Sequence, residues 1–381
     1  MRYAAISGWG KYAPEKVLTN QDLEKMVDTS EDWILARTGI RERRIAGPDE
    51  AVSTMSLAAS HEALAMAGLD PRDLDLIIVG TSSPDYLTPP VASMIQDMLA
   101  APRAAAFDLG AGCTGFIYAL ATAHQFIAAG SYDNVLVIGA EITSRFVDWD
   151  DRATCVLFGD GAGAVVLQAT DAPTGVLSFL LGSEGSEHDA VIVPGGGSRH
   201  PFSQEVLDKK MHYIKMDGQR VFRFATRVPA EGAVRVIEAS GLSMDDIALI
   251  IPHQANLRII QSLARSLRVP LEKFYVNVDR YGNTSAASIP IALCEALEEG
   301  RAREGENILL LGFGTGLTWA AAVIRVGMPQ TLSWPVSWPF VSLKDLSRSG
   351  VRLLARGAVA LLAAVIGPLL LPFYSISDKW D

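Results

Sequence analysis

Short apolar runs that lack polar alternation recur along the chain and predict buried strands. They include LDLIIVG at 74–80, NVLVIGAE at 134–141 and NILLLGFG at 307–314, and such runs are typical of strands covered on both faces by helices. Residues 184–215 are rich in Gly, Ser, His and Pro without a clear period, which predicts a long loop. Helical spacing of apolar residues predicts amphipathic helices at 51–67, 91–100, 114–129, 218–240, 256–268 and 286–300. The pattern as a whole predicts an α/β fold.

Two pairs of similar segments indicate an internal duplication. Residues 68–78, GLDPRDLDLII, match residues 241–251, GLSMDDIALII, and each segment predicts a helix end, a turn and a buried strand. A second pair begins at Phe158 and Phe313, where a Gly-x-Gly turn lies between apolar runs. We therefore predict two related halves and an extension, with the bounds 1–172, 173–327 and 328–381.

Composition and charge narrow the class of protein. The 381 residues are 49% hydrophobic and 20% charged, which excludes a disordered chain. The formal net charge of −10 argues against nucleic acid as a partner and means that an anionic partner needs a local basic patch. Three cysteines cannot form a disulfide scaffold, and the histidines lack the spacing of metal ligands. The N-terminal sequence lacks the apolar segment of a secretory signal, so we expect a cytoplasmic location.

One of the three cysteines occupies an unusual position. Cys113 follows the strand-like AAAFDLG and begins an apolar helix, with Gly110 and Gly112 permitting a sharp turn. Backbone amides and the helix dipole at such a position favour a thiolate. Cys155 and Cys294 lie inside apolar segments and are interpreted as small buried side chains. On this segment alone, a core cysteine at a tight helix start remains the alternative for Cys113.

Two polar residues at comparable positions strengthen the case for an active site. His253, in LIIPHQAN, stands just beyond a predicted strand, where the first half reads LIIVGTSS, and open α/β sheets hold their chemistry at the carboxyl ends of strands. Asn283 lies in the Gly-Asn-Thr-Ser turn of DRYGNTSAASIP. Either residue alone is more often structural. Together with Cys113 they indicate a nucleophile and two hydrogen-bond donors.

These segments carry a family resemblance over residues 1 to about 327. The motifs DLGAGCTGF, LFGDGAGA, PHQANLRI, YGNTSAASIP and GFGTGLTW resemble those of β-ketoacyl-acyl carrier protein synthase III, a condensing enzyme of the thiolase superfamily. The resemblance implies a layered αβαβα fold built from two duplicated halves. It also implies a homodimer. The extension beyond residue 327, expected to be helical, is not part of the resemblance.

The resemblance implies the chemistry as well. Cys113 would take an acyl group from an acyl-CoA primer, with an oxyanion hole formed by the amides of Cys113 and the Gly314–Thr315 turn. His253 and Asn283 would donate hydrogen bonds to the thioester oxygen of malonyl-acyl carrier protein as carbon dioxide leaves. The enolate then attacks the acyl group and gives a 3-oxoacyl-acyl carrier protein. No cofactor is expected, since the CoA and carrier-protein thioesters are substrates. Elongating relatives place a second His where Asn283 stands, so this set favours initiation of fatty acid synthesis.

Substrate contacts follow from local matches to the family. Trp33 and Arg152 match residues that sandwich the adenine of CoA, which is physically sound for an indole and a cation. Leu87, in SSPDYLTPP, matches a position that sets primer chain length. The alternative for Trp33 is a place in the core of an amphipathic helix. Further matches to pantetheine, phosphate or tunnel positions are Arg37, Gly218, Phe222, Ala255 and Arg258.

A basic surface is predicted for docking the acidic carrier protein. Arg258 and Arg265 are seven residues apart on one predicted helix and therefore share a face. Arg223 and Lys215 extend that surface. The alternative is an ordinary solvated helix face.

The extension carries a pattern of its own. Lys344, Arg348, Arg352 and Arg356 recur every four residues, and the eighteen residues 357–374 carry no charge. A basic helix leading into an apolar run predicts attachment to a membrane surface through 344–374. A tail helix packed on protein is the alternative.

Two other functions remain open from the sequence. The same nucleophile would serve a related acyltransferase or a condensing enzyme of secondary metabolism, of polyketide or head-to-head type. An inactive membrane-attached scaffold is a weaker alternative because all three catalytic positions hold competent residues.

Overall fold

The computed structural model describes residues 2–327, which contain thirteen strands and eleven α-helices. The strands are β1 Tyr3–Tyr12, β2 Val17–Thr19, β3 Glu42–Arg44, β4 Leu76–Gly80, β5 Ala105–Leu109, β6 Asn134–Ile142, β7 Asp160–Thr170, β8 Gly175–Ser183, β9 Val191–Ile192, β10 Lys215–Met216, β11 Ile247–Pro252, β12 Asn307–Gly314 and β13 Thr318–Arg325. The helices are α1 Asn20–Glu24, α2 Glu31–Thr38, α3 Val52–Ala67, α4 Val91–Met98, α5 Gly115–Ala128, α6 Arg152–Cys155, α7 Gln204–Asp208, α8 Gly218–Ala239, α9 Leu257–Leu267, α10 Val278–Tyr281 and α11 Ser288–Glu298.

Two mixed sheets form the frame. The first has the order β1-β7-β6-β4-β5, with β4 parallel to β5 and β6 and with β7 antiparallel to β1 and β6. The second has the order β11-β12-β13-β8, with β11 and β12 parallel and the other neighbours antiparallel. The strands of the first sheet come from residues 3–170 and those of the second from residues 175–325.

Side chains that alternate along the strands divide the core into layers. Ile77 belongs to a core shared with α3 and α4, whereas Ile78 belongs to a central core shared with α5 and α11. In the second sheet Leu310 belongs to the same central core, whereas Leu309 packs with α8 and α9. Helices therefore cover both faces of both sheets, as continuous apolar strands require. The predicted αβαβα fold is confirmed.

The first pair of similar segments has matching structures. Gly68 follows α3 with φ of +61°, and Gly241 follows α8 with φ of +74°, a left-handed conformation that glycine adopts without strain. A short 3-10 helix and a buried strand come next in both segments, β4 in one and β11 in the other. The second pair differs. Gly314 ends β12 and leads into the β12–β13 hairpin, whereas Gly159 follows α6 and precedes β7.

The six helices predicted from periodicity are present, each within two residues of its predicted ends. The loop prediction for 184–215 is wrong in part, because this segment contains α7 and the paired strands β9 and β10. Within residues 2–327 no helix is both long enough and apolar enough to cross a membrane. The predicted helical extension, 328–381, and its membrane segment, 344–374, lie outside the described residues. The boundary at 172 between the halves stays a prediction.

Candidate active site

Cys113 lies where the two sheets approach each other through tight turns. It sits in the 3-10 helix Gly112–Thr114, between β5 and α5. Gly112 has φ of +56°, and a Cβ there would lie 2.8 Å from the amide nitrogen of Thr315. A Cβ at Gly314 would lie 2.6 Å from the amide nitrogen of Cys113. Only glycine fits at these positions, so the turn after β12 lies directly against the nucleophile candidate.

Asn283 and Ser285 bring a second turn to the same place. Asn283 Oδ1 accepts a hydrogen bond from the amide of Ser285 at 2.9 Å, which leaves its Nδ2 group as the donor for a ligand. The Asn283 backbone is fixed because its amide donates to the Leu157 carbonyl at 2.8 Å. Ser285 Oγ lies 3.4 Å from Cys113 Sγ. The predicted Asn283 is therefore two residues from a side chain that contacts Cys113.

His253 approaches from the end of β11 and is 1% exposed. Its amide donates to the Leu311 carbonyl at 2.7 Å, and its Nδ1 lies 2.6 Å from Ser288 Oγ. Ser288 Oγ also accepts a hydrogen bond from the amide of Gln254 at 3.4 Å. Its own hydrogen can be donated to Nδ1, and in that tautomer Nε2 carries the hydrogen and is the donor. Burial lowers the pKa of His253 to about 3. The imidazole is therefore neutral at physiological pH.

Burial changes the expected protonation state of Cys113. The side chain is partly accessible, but desolvation, together with the negative charge of Glu141, raises the pKa of the thiol to about 12 against the opposing hydrogen bond from Ser285. Burial therefore opposes the thiolate that the helix start favours, and the thiolate stays a prediction. A Cys113 thiol has to lose its proton before or during acyl transfer.

Glu141 is the principal residue that the sequence interpretation missed. It lies on β6, is 2% exposed, and its Oε1 accepts hydrogen bonds from the amide of Ser82 at 3.0 Å and from Ser285 Oγ at 3.2 Å. Its Oε2 accepts from the hydroxyls of Ser83 and Thr81. Desolvation raises the pKa of this carboxyl to about 7. A single acidic residue near the end of the apolar run NVLVIGAE was the available signal, because acidic residues are rarely buried without a role.

A cleft of about 920 Å³ contains many of the predicted substrate residues. Its acidic residues are already engaged. Asp217 caps α8 by accepting from the amides of Gln219 and Arg220, and Asp189 pairs with Arg220 at 2.7 Å. The basic side chains of the cleft therefore remain available to an anion. The lining residues are Arg37, Asp189, Lys215, Met216, Asp217, Gly218, Gln219, Phe222, Arg223 and Arg258.

The segment after β11 connects this cleft to the buried residues. His253 and the buried Ala255 lie at one end, and Arg258 lies at the other, with its guanidinium 5.8 Å from the centroid of the Phe222 ring. Asn256 fixes the segment, since its Oδ1 accepts from the amide of Arg258 and its Nδ2 donates to the Arg37 carbonyl. The cleft and the buried site are thus separated by only a few residues of chain.

Trp33 is placed among cations, as its proposed role requires. The guanidinium of Arg152 lies 4.7 Å from the centroid of the Trp33 ring, and that of Arg37 lies 5.7 Å away. Trp33 is half-buried on α2 and also packs against the buried cluster that includes Leu23 and Val156, so the alternative of a place in the core is met in part. At 4.7 Å the Arg152 guanidinium leaves no room for a base between it and the indole unless it moves.

Two of the predicted residues lie apart from this group. Arg265 is exposed on α9 and does not line the cleft. Leu87 is 83% exposed, so the described chain does not enclose it in a primer pocket, and that assignment stays a prediction that requires a second chain.

Comparisons with known proteins show the family to which the chain belongs. Residues 107–185 match the sequence model of 3-oxoacyl-[acyl-carrier-protein] synthase III, and residues 237–326 match that of its C-terminal region. Over 323 residues the chain is 54% identical to β-ketoacyl-[acyl-carrier-protein] synthase III of Roseiflexus sp. (strain RS-1). The aligned region covers 85% of this chain and 98% of that relative.

Solved structures give the same result. The 3-oxoacyl-[acyl-carrier-protein] synthase III of Aquifex aeolicus VF5 is 47% identical with a TM-score of 0.78, and the match covers 84% of this chain and 99% of that one. The Thermus thermophilus β-ketoacyl-[acyl carrier protein] synthase III is 46% identical with a TM-score of 0.80. That match covers 85% of this chain and 99% of the Thermus thermophilus chain. This chain belongs to the β-ketoacyl-[acyl-carrier-protein] synthase III family.

Proposed function

We propose that this chain condenses an acyl-CoA primer with malonyl-acyl carrier protein and so initiates fatty acid synthesis. The proposal rests on one observation, which is that a single segment, 283–288, joins the three predicted catalytic residues. Asn283 begins it, Ser285 contacts Cys113 and Ser288 contacts His253. Cys113 is the nucleophile, and His253 and Asn283 are neutral hydrogen-bond donors.

The first half-reaction is acyl transfer to Cys113. The sulfur attacks the thioester carbonyl of the primer, and the developing oxyanion accepts hydrogen bonds from the amides of Cys113 and Thr315. The close approach of Gly314 to the Cys113 amide supports this assignment. CoA leaves as the thiol after taking a proton from solvent, and the acyl group remains on the sulfur.

The second half-reaction forms the carbon–carbon bond. Malonyl-acyl carrier protein loses carbon dioxide, and its two bonding electrons pass into an enolate whose oxygen accepts hydrogen bonds from His253 Nε2 and Asn283 Nδ2. The enolate carbon attacks the acyl group, and Cys113 leaves as a thiolate. Two neutral donors suit this step because decarboxylation requires no base.

The cleft is the proposed entrance for the pantetheine arm of both substrates. Phosphate groups carry negative charge, and Arg37, Arg223 and Arg258 present guanidinium groups that bind phosphate well. We assign Trp33 and Arg152 to the adenine of CoA, because an indole beside a guanidinium suits a planar base. We assign docking of the acidic carrier protein to Arg223 and Arg258 at the cleft and to the exposed Arg265 farther along α9.

We also propose that the enzyme is a homodimer. The strand β5 forms an edge of the first sheet, and its sequence AAFDL is apolar at four of its five positions yet nowhere fully buried. Exposed apolar edge strands are usually covered in soluble proteins. A second copy on this edge would bury the strand that leads to Cys113.

The direct test is to incubate the full chain with a panel of acyl-CoAs, and then with malonyl-acyl carrier protein. Intact-mass analysis should show one acyl adduct on Cys113, which is lost in Cys113→Ala and retained in Cys155→Ala. Addition of the malonyl substrate should release a 3-oxoacyl-carrier protein. A different condensation product would place the enzyme in secondary metabolism, and failure of Cys113 to acylate would contradict the proposal.

A further inference from the structure

A single hydroxyl group joins the reactive sulfur to a buried carboxylate. Ser285 Oγ lies 3.4 Å from Cys113 Sγ and 3.2 Å from Glu141 Oε1. A serine hydroxyl has one hydrogen to donate and two lone pairs to accept with. Ser285 Oγ is placed to donate its one hydrogen either to Cys113 Sγ or to Glu141 Oε1. When that hydrogen turns to Glu141, an oxygen lone pair becomes free to accept the thiol hydrogen of Cys113. The three groups form a continuous path for a proton.

The surroundings of Glu141 do not explain it as a structural ion pair. In the described part of the chain its hydrogen-bond donors are one amide and three hydroxyls, with no Lys or Arg among its partners. Buried carboxylates are usually paired with a cation, because burial of an isolated charge is expensive. A glutamine could accept only part of these hydrogen bonds, because its Nε2 group donates and cannot accept. A carboxyl group held only by neutral donors can in addition bind and release a proton, which an amide cannot do.

Few other charged groups act on Glu141. Among the described residues, Cys113 is an ionisable side chain whose pKa the charge of Glu141 raises. On the neighbouring strand β7, Gly161 is opposite Glu141, and Asp160 is opposite Ile142, so Asp160 lies on the other face of the sheet. The Asp160 carboxylate accepts hydrogen bonds from Ser144 and from the amide of Ala46, with Arg145 nearby. Glu141 therefore titrates in an environment of hydroxyls and close to neutral pH.

We propose that Glu141, acting through Ser285, accepts the proton of the Cys113 thiol during acylation and returns it during condensation. This inference rests on the proposed function, since it supplies the proton-removing step that acylation requires. As the sulfur attacks the primer, the thiol proton moves to Ser285 Oγ and the serine proton moves to Glu141 Oε1. The acyl-enzyme thus holds a neutral thioester beside a protonated carboxyl group.

The second half-reaction reverses the transfer. Attack of the enolate expels Cys113 as a thiolate, and the proton passes from Glu141 through Ser285 back to the sulfur. Over the cycle Glu141 neither gains nor loses a proton, and the single proton consumed is the one that CoA takes from solvent. The carboxyl group also remains uncharged while the malonyl carboxylate is bound nearby, which avoids repulsion between two anions.

The inference predicts a distinctive dependence of acylation on pH. Only ionised Glu141 can accept a proton, so the single-turnover rate of Cys113 acylation in the unmodified enzyme should rise up to about pH 7 and then level off. In Glu141→Gln the thiol must lose its proton to solvent, and the rate should rise tenfold per pH unit without levelling off below pH 9. General bases typically contribute about 100-fold to 10,000-fold, so we expect at least a tenfold loss at pH 7.

Two further variants complete the experiment. Ser285→Ala interrupts the path and should reproduce the slow, non-levelling profile with Glu141 intact. Asp160→Asn removes a buried carboxylate from the adjacent strand but not from the path, and it should retain the levelling profile. Near-UV circular dichroism confirms that each variant is folded. If Glu141 only repels the thiolate, Glu141→Gln will acylate faster than the unmodified enzyme at neutral pH, and the inference is overturned.

A second probe separates this inference from the proposed function. If no acyl-CoA acylates the unmodified enzyme, the proposed function is wrong. The alkylation rate of Cys113 with iodoacetamide, followed by mass spectrometry across the same pH range, still tests the proton path without a thioester. The levelling profile in the unmodified enzyme and its loss in Glu141→Gln support the path, and identical profiles refute it.

Discussion

The buried carboxyl group of Glu141 makes a specific prediction about stability. Its pKa is about 7 in the folded protein, compared with an ordinary value of 4.5. Folding therefore favours the protonated form, and the ionised form is penalised by about 3 kcal/mol at pH values well above 7. The contribution to stability is fully present below pH 4.5 and is lost as the pH rises through 7. Between pH 5 and pH 8 the loss amounts to about 2.5 kcal/mol.

Glu141→Gln removes this loss because the amide does not ionise. The substitution also alters hydrogen bonds to Ser82, Ser83 and Ser285, but that effect is the same at both pH values and cancels in the comparison. Relative to the unmodified protein, the variant should therefore gain about 2.5 kcal/mol in free energy of unfolding on going from pH 5 to pH 8. Its absolute stability at either pH is not needed for the test.

The measurement is urea denaturation followed by circular dichroism, at equal protein concentration for both proteins and at both pH values. Glu304→Gln, at an exposed glutamate, is the matched control and should show the same pH dependence as the unmodified protein. Parallel behaviour of Glu141→Gln and the unmodified protein between pH 5 and pH 8 would show that Glu141 is ionised normally, and the reasoning about its burial would fail.

Three further predictions concern substrates and steps. Trp33→Ala should raise KM for acyl-CoA about threefold to thirtyfold with little change in kcat, because cation–π and stacking contacts contribute about 0.5–2 kcal/mol; an acyl-pantetheine lacking adenine should be used equally well by both proteins. Ser288→Ala should slow malonyl decarboxylation about tenfold by removing the partner of His253 Nδ1, with acylation of Cys113 unchanged in intact-mass assays. Arg265→Glu should raise KM for malonyl-acyl carrier protein but not for acyl-CoA, and the effect should shrink as salt is added; an equal change for both substrates would contradict docking on α9.

Local sequence was sufficient for much of the fold. The periodicity of apolar residues located α3, α5 and α8 because helix formation and its buried face depend on residues a few positions apart. The short strands β9 and β10 were missed because their pairing joins segments more than twenty residues apart within a stretch that has no period. The duplicated segments identified β4 and β11 as equivalent strands. The similar Gly-x-Gly sequences that begin near Gly159 and Gly314 adopt different structures, because one lies between a helix and a strand and the other leads into a hairpin.

The candidate site was predictable in its residue types but not in its protonation states. Cys113, His253 and Asn283 each end a strand or occupy a sharp turn, and these features are visible locally. The pKa of a group depends on what surrounds it in space, so the helix start suggested a thiolate at Cys113 while burial opposes it. Glu141 acquires its properties from hydroxyls at three other places in the chain. No pattern around residue 141 alone could supply that information.

The roles proposed for His253 and Asn283 require both groups to be neutral during the second half-reaction. An imidazolium ion would stabilise the enolate oxygen more strongly, but it could also transfer a proton and destroy the nucleophile before it reached the acyl group. Burial lowers the pKa of His253 to about 3, so that the imidazole offers a hydrogen bond without an acidic proton. Fixed neutral donors act only when charge appears on the substrate oxygen, and a carboxyl group with a pKa of about 7 can take the thiol proton without leaving a permanent charge in the site.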